Sequence, residues 1–138
     1  MSESEIVKQA YLEATQVRKN AYARYSQFLV GSCLKAKGSS TLYSGCNFEN
    51  ASFGAGACAE RSALSNWISK EGAGTIEFIV VVTDTDPAAS PCGICRQSLR
   101  EFSDENTMVY MANLKGIQNQ VKLVDLIPHS FGPEDLKV

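Results

Sequence analysis

The chain has 138 residues, of which 44% are hydrophobic and 20% charged, and its formal net charge at pH 7 is −2. This length predicts one compact domain over residues 1–138, because a second domain would be too small to have its own core. No apolar run approaches the roughly 20 residues that span a bilayer, and there is no basic surplus to neutralise a phosphate backbone. The acidic start, MSESEIVKQ, is unlike a signal peptide, so we expect a cytoplasmic protein without a membrane or nucleic-acid partner.

The N-terminal third predicts a helix followed by a hairpin. Ser2 and Glu5 can form a capping box, and the apolar residues behind them recur at helical spacing. Residues 3–22 are therefore predicted to form an amphipathic helix that covers the core. Branched and apolar residues favour a strand over 27–36, and residues 37–40 have turn chemistry that leads into a second strand.

The middle of the chain predicts a loop, a helix and a buried strand. Residues 47–57 are rich in Asn, Ser, Gly and Ala, whereas 58–70 have helical character. Consecutive helix positions turn by about 100°, so Cys58 and Glu60 can converge only if Cys58 lies at the helix start. Residues 76–83 are nearly continuously apolar, which is typical of a central strand covered on both faces.

The last third predicts a second helix from Cys92 through Phe102 and two further strands. The link between strands 107–112 and 117–122 is too short for a parallel crossover, so these two strands should be antiparallel. The element order is helix, two strands, helix, strand, helix, two strands. It predicts an α/β fold with a mixed sheet of about five strands covered by helices.

The cysteines are more consistent with metal binding than with disulfides, because five is an odd number and the chain shows no export signal. Cys33 and Cys46 lie in apolar, strand-like stretches, and we predict that they pack in the core. Cys92 and Cys95 are spaced to share a helix face, so that with Cys58 they can reach one ion. A catalytic zinc site uses three protein ligands and leaves one position for water, whereas a structural site closes with four.

Two interpretations of this cluster remain open at this level. A structural zinc site would need a fourth ligand, but His129 is the only histidine and is far along the chain, and we do not expect it to bind the metal. Glu60 could be an ordinary first-turn acid, which the helix dipole favours, or an acid–base group beside the metal. Arg61 could face solvent or donate to the thiolates.

Four blocks of sequence, in order, resemble a known family. The spacing Cys-x-Glu followed by Pro-Cys-x-x-Cys is the signature of zinc deaminases. Together the blocks resemble the small cytidine deaminases of free nucleosides, and the likeness extends to Leu126–Leu136 near the C-terminus. The blocks are Tyr25-Ser26-x-Phe28-x-Val30-Gly31, Gly45-Cys46-Asn47-Phe48-Glu49-Asn50-Ala51, Cys58-Ala59-Glu60-Arg61-Ser62-Ala63 and Pro91-Cys92-Gly93-Ile94-Cys95-Arg96-Gln97.

This resemblance implies a three-layer cytidine deaminase-like fold and a hydrolase that acts on the C–N bond of a cyclic amidine. It implies conversion of cytidine and deoxycytidine to uridine and deoxyuridine in pyrimidine salvage. One Zn²⁺ per subunit would be bound by Cys58, Cys92 and Cys95. Glu60 would carry protons between water, N3 of the base and the leaving ammonia, and Arg61 would donate to the thiolates.

The resemblance also implies a substrate site. Asn47 and Glu49 would bind the ribose, although composition alone favours a loop-forming role for both. Phe28, which could equally be a core residue, would be a wall against the pyrimidine. Phe53 stands where tyrosine is frequent in the family, so a hydroxyl contact is not expected there. The remaining substrate-lining positions implied by the family are Ala51, the backbone of Ala59, and Phe131, which would reach a neighbouring subunit's base in a homotetramer.

Two other functions are compatible with part of this pattern. The first is deamination of another small aminopyrimidine such as blasticidin S, against which the Asn47-x-Glu49 pair argues. The second is a non-catalytic, zinc-stabilised binding module, against which the presence of Glu60 argues.

Overall fold

The computed structural model describes residues 1–137, and a five-stranded mixed sheet lies at its centre. The strands are β1 (Gly31–Ala36), β2 (Leu42–Cys46), β3 (Ile76–Val82), β4 (Met108–Asn113) and β5 (Gly116–Lys122). They are arranged in the order β2-β1-β3-β4-β5. β3 and β4 are parallel, and the other neighbouring pairs are antiparallel. The predicted hairpin and the antiparallel pairing of the last two strands are confirmed.

Helices cover both faces of the sheet and complete three layers. The helices are α1 (Glu3–Arg18), α2 (Ala59–Glu71), α3 (Gly93–Arg100) and the short α4 (Leu123–Leu126). α1 packs against one face, whereas α2, α3 and α4 contribute to the core on the other. The predicted fold class is therefore confirmed. Among the described residues, no helix has both the length and the apolar composition needed to cross a membrane.

The larger core lies between the sheet and α2. Trp67 is 1% exposed and meets Phe102 edge to face, with ring centroids 5.8 Å apart. Alternate residues of β3 enter the cores on the two faces, for example Ile79 on the α2 side and Val80 on the α1 side. This two-sided burial explains the continuous apolar sequence of β3. Because β3 is packed on both faces, the residues that follow its carboxyl end have well-defined positions.

Two predicted boundaries were wrong for a shared reason. α1 ends at Arg18, because the chain leaves the helix so that the Tyr22 N–H can donate to the Asn47 carbonyl at 3.0 Å. The first strand begins at Gly31, and the preceding stretch turns through Gln27, whose φ of 60° is left-handed. Contacts with the distant loop, which local periodicity does not report, determine both boundaries.

Candidate active site

Three thiols converge at the starts of two helices. Cys58 immediately precedes α2 and Cys92 immediately precedes α3, and both have extended backbones with ψ of 158° and 170°. Cys95 lies in the first turn of α3 and is buried. The three sulfur atoms lie within 4.8 Å of one another, and the Cys58 and Cys92 sulfurs are 3.9 Å apart. The structure thus places Cys58 at the helix start that convergence requires.

This set of donors fits a tetrahedral zinc ion. Zinc binds thiolate sulfur at about 2.3 Å, which separates two ligand sulfurs by about 3.8 Å, close to the spacing observed. The three thiols are the only group of three or more Cys, His, Asp or Glu side chains suited to a metal within residues 1–137, so His129 lies outside it. Cys33 is fully buried in β1 and Cys46 is half buried in β2. Three ligands leave one coordination position open for water.

The surroundings of the thiols favour negative charge. A hydrogen bond from the Cys95 thiol, together with donation from Arg61, lowers the pKa of Cys58 to about 5. That same hydrogen bond and burial raise the pKa of Cys95, and a bound metal deprotonates such thiols outright. The Arg61 Nη2 atom lies 3.9 Å from the Cys58 sulfur, and its Nε is buried without a partner among residues 1–137. The N-terminal ends of α2 and α3, where the helix dipoles are positive, also lie at the thiols and favour their negative charge.

Glu60 is the second residue of α2 and is only 4% exposed. Burial raises the pKa of its carboxyl to about 7. The start of α2 is held in place by the buried Ser32 hydroxyl, which donates to the Ala59 carbonyl at 2.8 Å. At Gly45 of β2, a β-carbon would overlap the backbone of Ala63, so the helix can approach the sheet only because this residue is glycine. Sheet packing therefore determines where the Glu60 carboxylate lies.

A cavity of about 630 Å³ opens over these groups. Cys58, Cys92 and Glu60 lie at its wall, and Thr83 and Val81 line it from β3 and the turn that follows. The loop that precedes α2 forms another wall, and short bridges from Phe48 to Tyr22 and to Ala57 tie this loop down. The Cys58 and Cys92 thiols and the Glu60 carboxyl therefore share one solvent-accessible cavity, and the Cys95 thiol lies buried behind them.

Asn47 and Glu49 line this cavity and also brace its rim. The Asn47 side chain accepts from the Val30 N–H and donates to the Phe28 carbonyl, each at 2.8 Å. Glu49 accepts from the backbone N–H groups of Tyr25 and Ser26 at 2.9 and 3.0 Å, and also from the Ser26 hydroxyl. These Ser26 contacts lower the pKa of the Glu49 carboxyl. The loop-forming role that composition favours is thus real for both residues, and lone pairs remain for a ligand.

A family model described as the cytidine and deoxycytidylate deaminase zinc-binding region matches residues 4–111. This chain belongs to that family. The cytidine deaminase of Sporosarcina psychrophila is 39% identical over 130 residues, 94% of each protein, and that of Halalkalibacterium halodurans is 43% identical over 90% of this chain and 92% of its own. The crystal structure of cytidine deaminase from Burkholderia pseudomallei superposes with a TM-score of 0.83 at 33% identity, covering 95% of this chain and 100% of that one. Zinc is accordingly the cofactor of this deaminase.

The structure brings most of the predicted substrate residues of this deaminase to the cavity, but not all. Phe28, Asn47, Glu49, Phe53 and Ala59 line it together with Arg61. Of the described residues, two predicted positions do not line it: Ala51 is exposed on the loop, and Phe131 is 57% exposed in the C-terminal segment. Phe53 lines the cavity although it is 82% exposed, and its ring packs edge to face against that of Tyr25, with centroids 5.9 Å apart.

Sequence reasoning missed several wall residues of this deaminase. Thr83 follows β3 directly, and the carboxyl end of a strand at the centre of an α/β sheet is a common place for ligand contacts, which could have identified it. Ala89 and Ser90 come from the connection before α3, and no local pattern marks them. Ser26 was part of the family blocks, but its bonds to Glu49 depend on the turn at Gln27.

Proposed function

We propose that this deaminase hydrolyses cytidine and deoxycytidine, releasing ammonia and leaving uridine and deoxyuridine. The observation that carries the proposal is that a cluster of three thiols suited to zinc, two of which line one cavity, lies beside the buried Glu60, which lines the same cavity. Its volume of about 630 Å³ is in the range of small-molecule sites. The pathway we propose is pyrimidine salvage, with residues 1–138 acting as one catalytic domain.

Glu60 performs the proton transfers in this proposal. Bound zinc supplies a Lewis acid that makes water a nucleophile near neutral pH. Glu60 takes a proton from the attacking water and passes it to N3 of the base, which makes C4 more electrophilic. It then delivers the second proton to the amino group, which leaves as ammonia. The carboxylate is suited to this because it is 4% exposed, so little solvent competes with it for the protons.

The other residues compensate charge and orient the substrate. Three thiolates give the metal centre a net charge of −1, and Arg61 with the two helix starts offsets that charge. The free lone pairs of Asn47 and Glu49 accept from the sugar hydroxyls. Phe28, which is 44% exposed at the cavity, gives the base an apolar wall.

An ultraviolet assay for loss of the 4-amino group tests the activity. Zinc-loaded protein should convert cytidine and deoxycytidine with stoichiometric zinc in the preparation, and should act poorly on bare cytosine and on blasticidin S. Preference for blasticidin S would replace nucleosides as the substrate class. A zinc-replete protein that deaminates none of the four would support the binding-module alternative.

We also propose a homotetramer in which Phe131 completes a neighbouring subunit's site. Phe131 and Phe53 are exposed apolar side chains, and Ile94, between two of the thiols in sequence, is 64% exposed. Exposed apolar side chains of this size favour burial against other copies of the chain. The cytoplasm is the proposed compartment, since it keeps the five free thiols reduced.

Subunit mixing tests the shared site. Phe131→Ala and Glu60→Gln homotetramers should each be impaired. Subunits of the two variants, unfolded and reassembled together, should regain some activity because some sites receive both intact residues. Absence of recovery in verified mixed tetramers would indicate that Phe131 anchors the C-terminal segment on its own subunit, and a fully active monomer would eliminate the shared site.

A further inference from the structure

Arg96 joins the loop before Cys92 to the last residue of α4. Its Nε donates to the Pro91 carbonyl, its Nη1 to the Leu126 carbonyl and its Nη2 to the Ser90 hydroxyl, each at 2.7 Å. All three nitrogens of one planar guanidinium are thus used at once. A lysine ammonium on a flexible stem could not reproduce this fork. Arg96 belongs to the fourth sequence block, yet the proposed chemistry gives it no role.

Two further side chains of α3 bind the residues around Phe131. The Gln97 Nε2 donates to the Phe131 carbonyl at 3.0 Å. The Arg100 Nε donates to the Ser130 hydroxyl at 2.7 Å, and the Arg100 guanidinium also forms an ion pair with Glu134. Polar contacts therefore run along α3 from the loop beside the thiols to the stretch that carries Phe131.

Gly132 allows the closest of these approaches. A β-carbon at Gly132 would overlap the Arg100 guanidinium, so the backbone there packs directly against the helix side chain. The Gly132 N–H is capped by the Asp135 carboxylate at 2.8 Å. Residues 126–137, which we call the C-terminal segment, are thus attached to α3 at several points. Leu126 also packs against the core, whereas seven of the twelve residues are exposed.

We propose that Arg96 is a positioning residue that couples metal binding at Cys92 and Cys95 to the order of the C-terminal segment. The two thiols anchor the start of α3 when they share an ion, and α3 in turn presents Arg96 and Arg100 to the segment. Release of the metal frees the first turn of α3, and the loop at Pro91 and the segment lose a common anchor. By linkage, an ordered segment must strengthen metal binding by the same factor.

This coupling deepens the proposed function, because it gives the zinc site control over where Phe131 is held. It rests on the proposed function only in taking zinc as the bound metal. Its tests measure backbone exchange and metal release, so they succeed or fail independently of cytidine turnover. An inactive protein that shows the coupling would overturn the proposed activity alone.

Hydrogen exchange of the wild-type protein is the first test. Amides of the C-terminal segment should exchange about fivefold or more faster after zinc is removed by a chelator, the low end of typical coupling. Amides of α1, which packs against the opposite face of the sheet from α3, should keep their protection and report that the fold is intact. Equal exchange of the segment in the zinc-loaded and zinc-free forms would overturn the proposal.

Zinc release from variants is the second test. Arg96→Lys should transfer zinc to a chelator about fivefold or more faster than wild type. Arg100→Gln should also accelerate release, although within residues 1–137 the hydrogen bonds of the Arg100 guanidinium go only to the segment. Combining it with Arg96→Lys should add little. Glu101→Gln, an exposed change at the end of the same helix, is the matched control and should release zinc at the wild-type rate.

The variants separate coupling from a local effect. If Arg100→Gln released zinc at the wild-type rate while Arg96→Lys released it faster, the coupling would be overturned. Arg96 would then only brace Pro91. Wild-type release from both variants would overturn any positioning role for Arg96. If Arg96→Lys fails to fold, hydrogen exchange of the wild-type protein still decides whether metal binding and the order of the C-terminal segment are coupled.

Discussion

Replacing Glu60 with glutamine should abolish most turnover and leave the fold intact. The amide has the same length as the acid, so it fills the same buried space at the start of α2, but it cannot accept and return a proton. General acid–base groups contribute about 10²–10⁴-fold to rate, or about 2.7–5.4 kcal/mol at 1.36 kcal/mol per decade. The upper part of this range is expected here, because Glu60 is only 4% exposed and bulk water cannot replace it.

The measurement is kcat for cytidine at saturation, with zinc content and thermal unfolding recorded on the same preparations. Glu105→Gln removes the same charge from an exposed turn and should behave as wild type in all three. A zinc-replete, folded Glu60→Gln enzyme with kcat within about tenfold of wild type would refute the proton-transfer role. Loss of zinc from Glu60→Gln would instead show that the acid supports the metal.

Four further substitutions probe the site and its scaffold. Glu49→Ala should raise KM for cytidine much more than for cytosine. An equal rise in KM for both substrates would show that Glu49 only stabilises the loop. The Ser26 hydroxyl and backbone lower the pKa of Glu49 below its ordinary 4.5. The KM of the wild-type enzyme should therefore stay constant as the pH falls to 4.5 and should rise only at lower pH. In Ser26→Ala the rise in KM should begin at higher pH. Arg61→Gln should speed zinc loss to a chelator or lower kcat, and an unchanged enzyme would make Arg61 a surface residue. Gly45→Ala should lower the free energy of unfolding by about 1–3 kcal/mol in denaturant titrations, as overpacking against Ala63 requires, and an unchanged midpoint would contradict that contact.

Elements with a local cause could be predicted from the sequence. β3 is continuously apolar because both its faces are covered, and α2 begins where Cys58 must leave the helix for its thiol to reach the others. The end of α1 and the start of β1 could not be predicted, because Tyr22 and Ser26 bond to a loop more than twenty residues away. α4 has four residues, too few for helical periodicity to be visible.

The site divides in the same way. The thiols and Glu60 are recognisable because chemistry restricts the residue types and spacings that can bind zinc and move protons. The double role of Glu49, which braces Ser26 while lining the cavity, depends on the left-handed turn at Gln27. Thr83 lies directly after the central strand β3, and Ser90 lies in the connection before α3. Their position at the cavity depends on how these elements pack, which requires knowledge of the fold.

The thiols that converge on one ion come from distant points of the chain: Cys58 and Cys92 are 34 residues apart, and all of α2 and β3 lies between them. Metal shared by these two positions closes that stretch into a loop. In the unfolded chain, bringing these two thiols together would cost about 4 kcal/mol of loop-closure entropy, so zinc binds the unfolded chain less well than the folded one. Because zinc binds the folded form preferentially, the melting temperature must also rise with the free zinc concentration. The melting temperature of this protein should therefore report the free zinc concentration as well as the strength of its own packing.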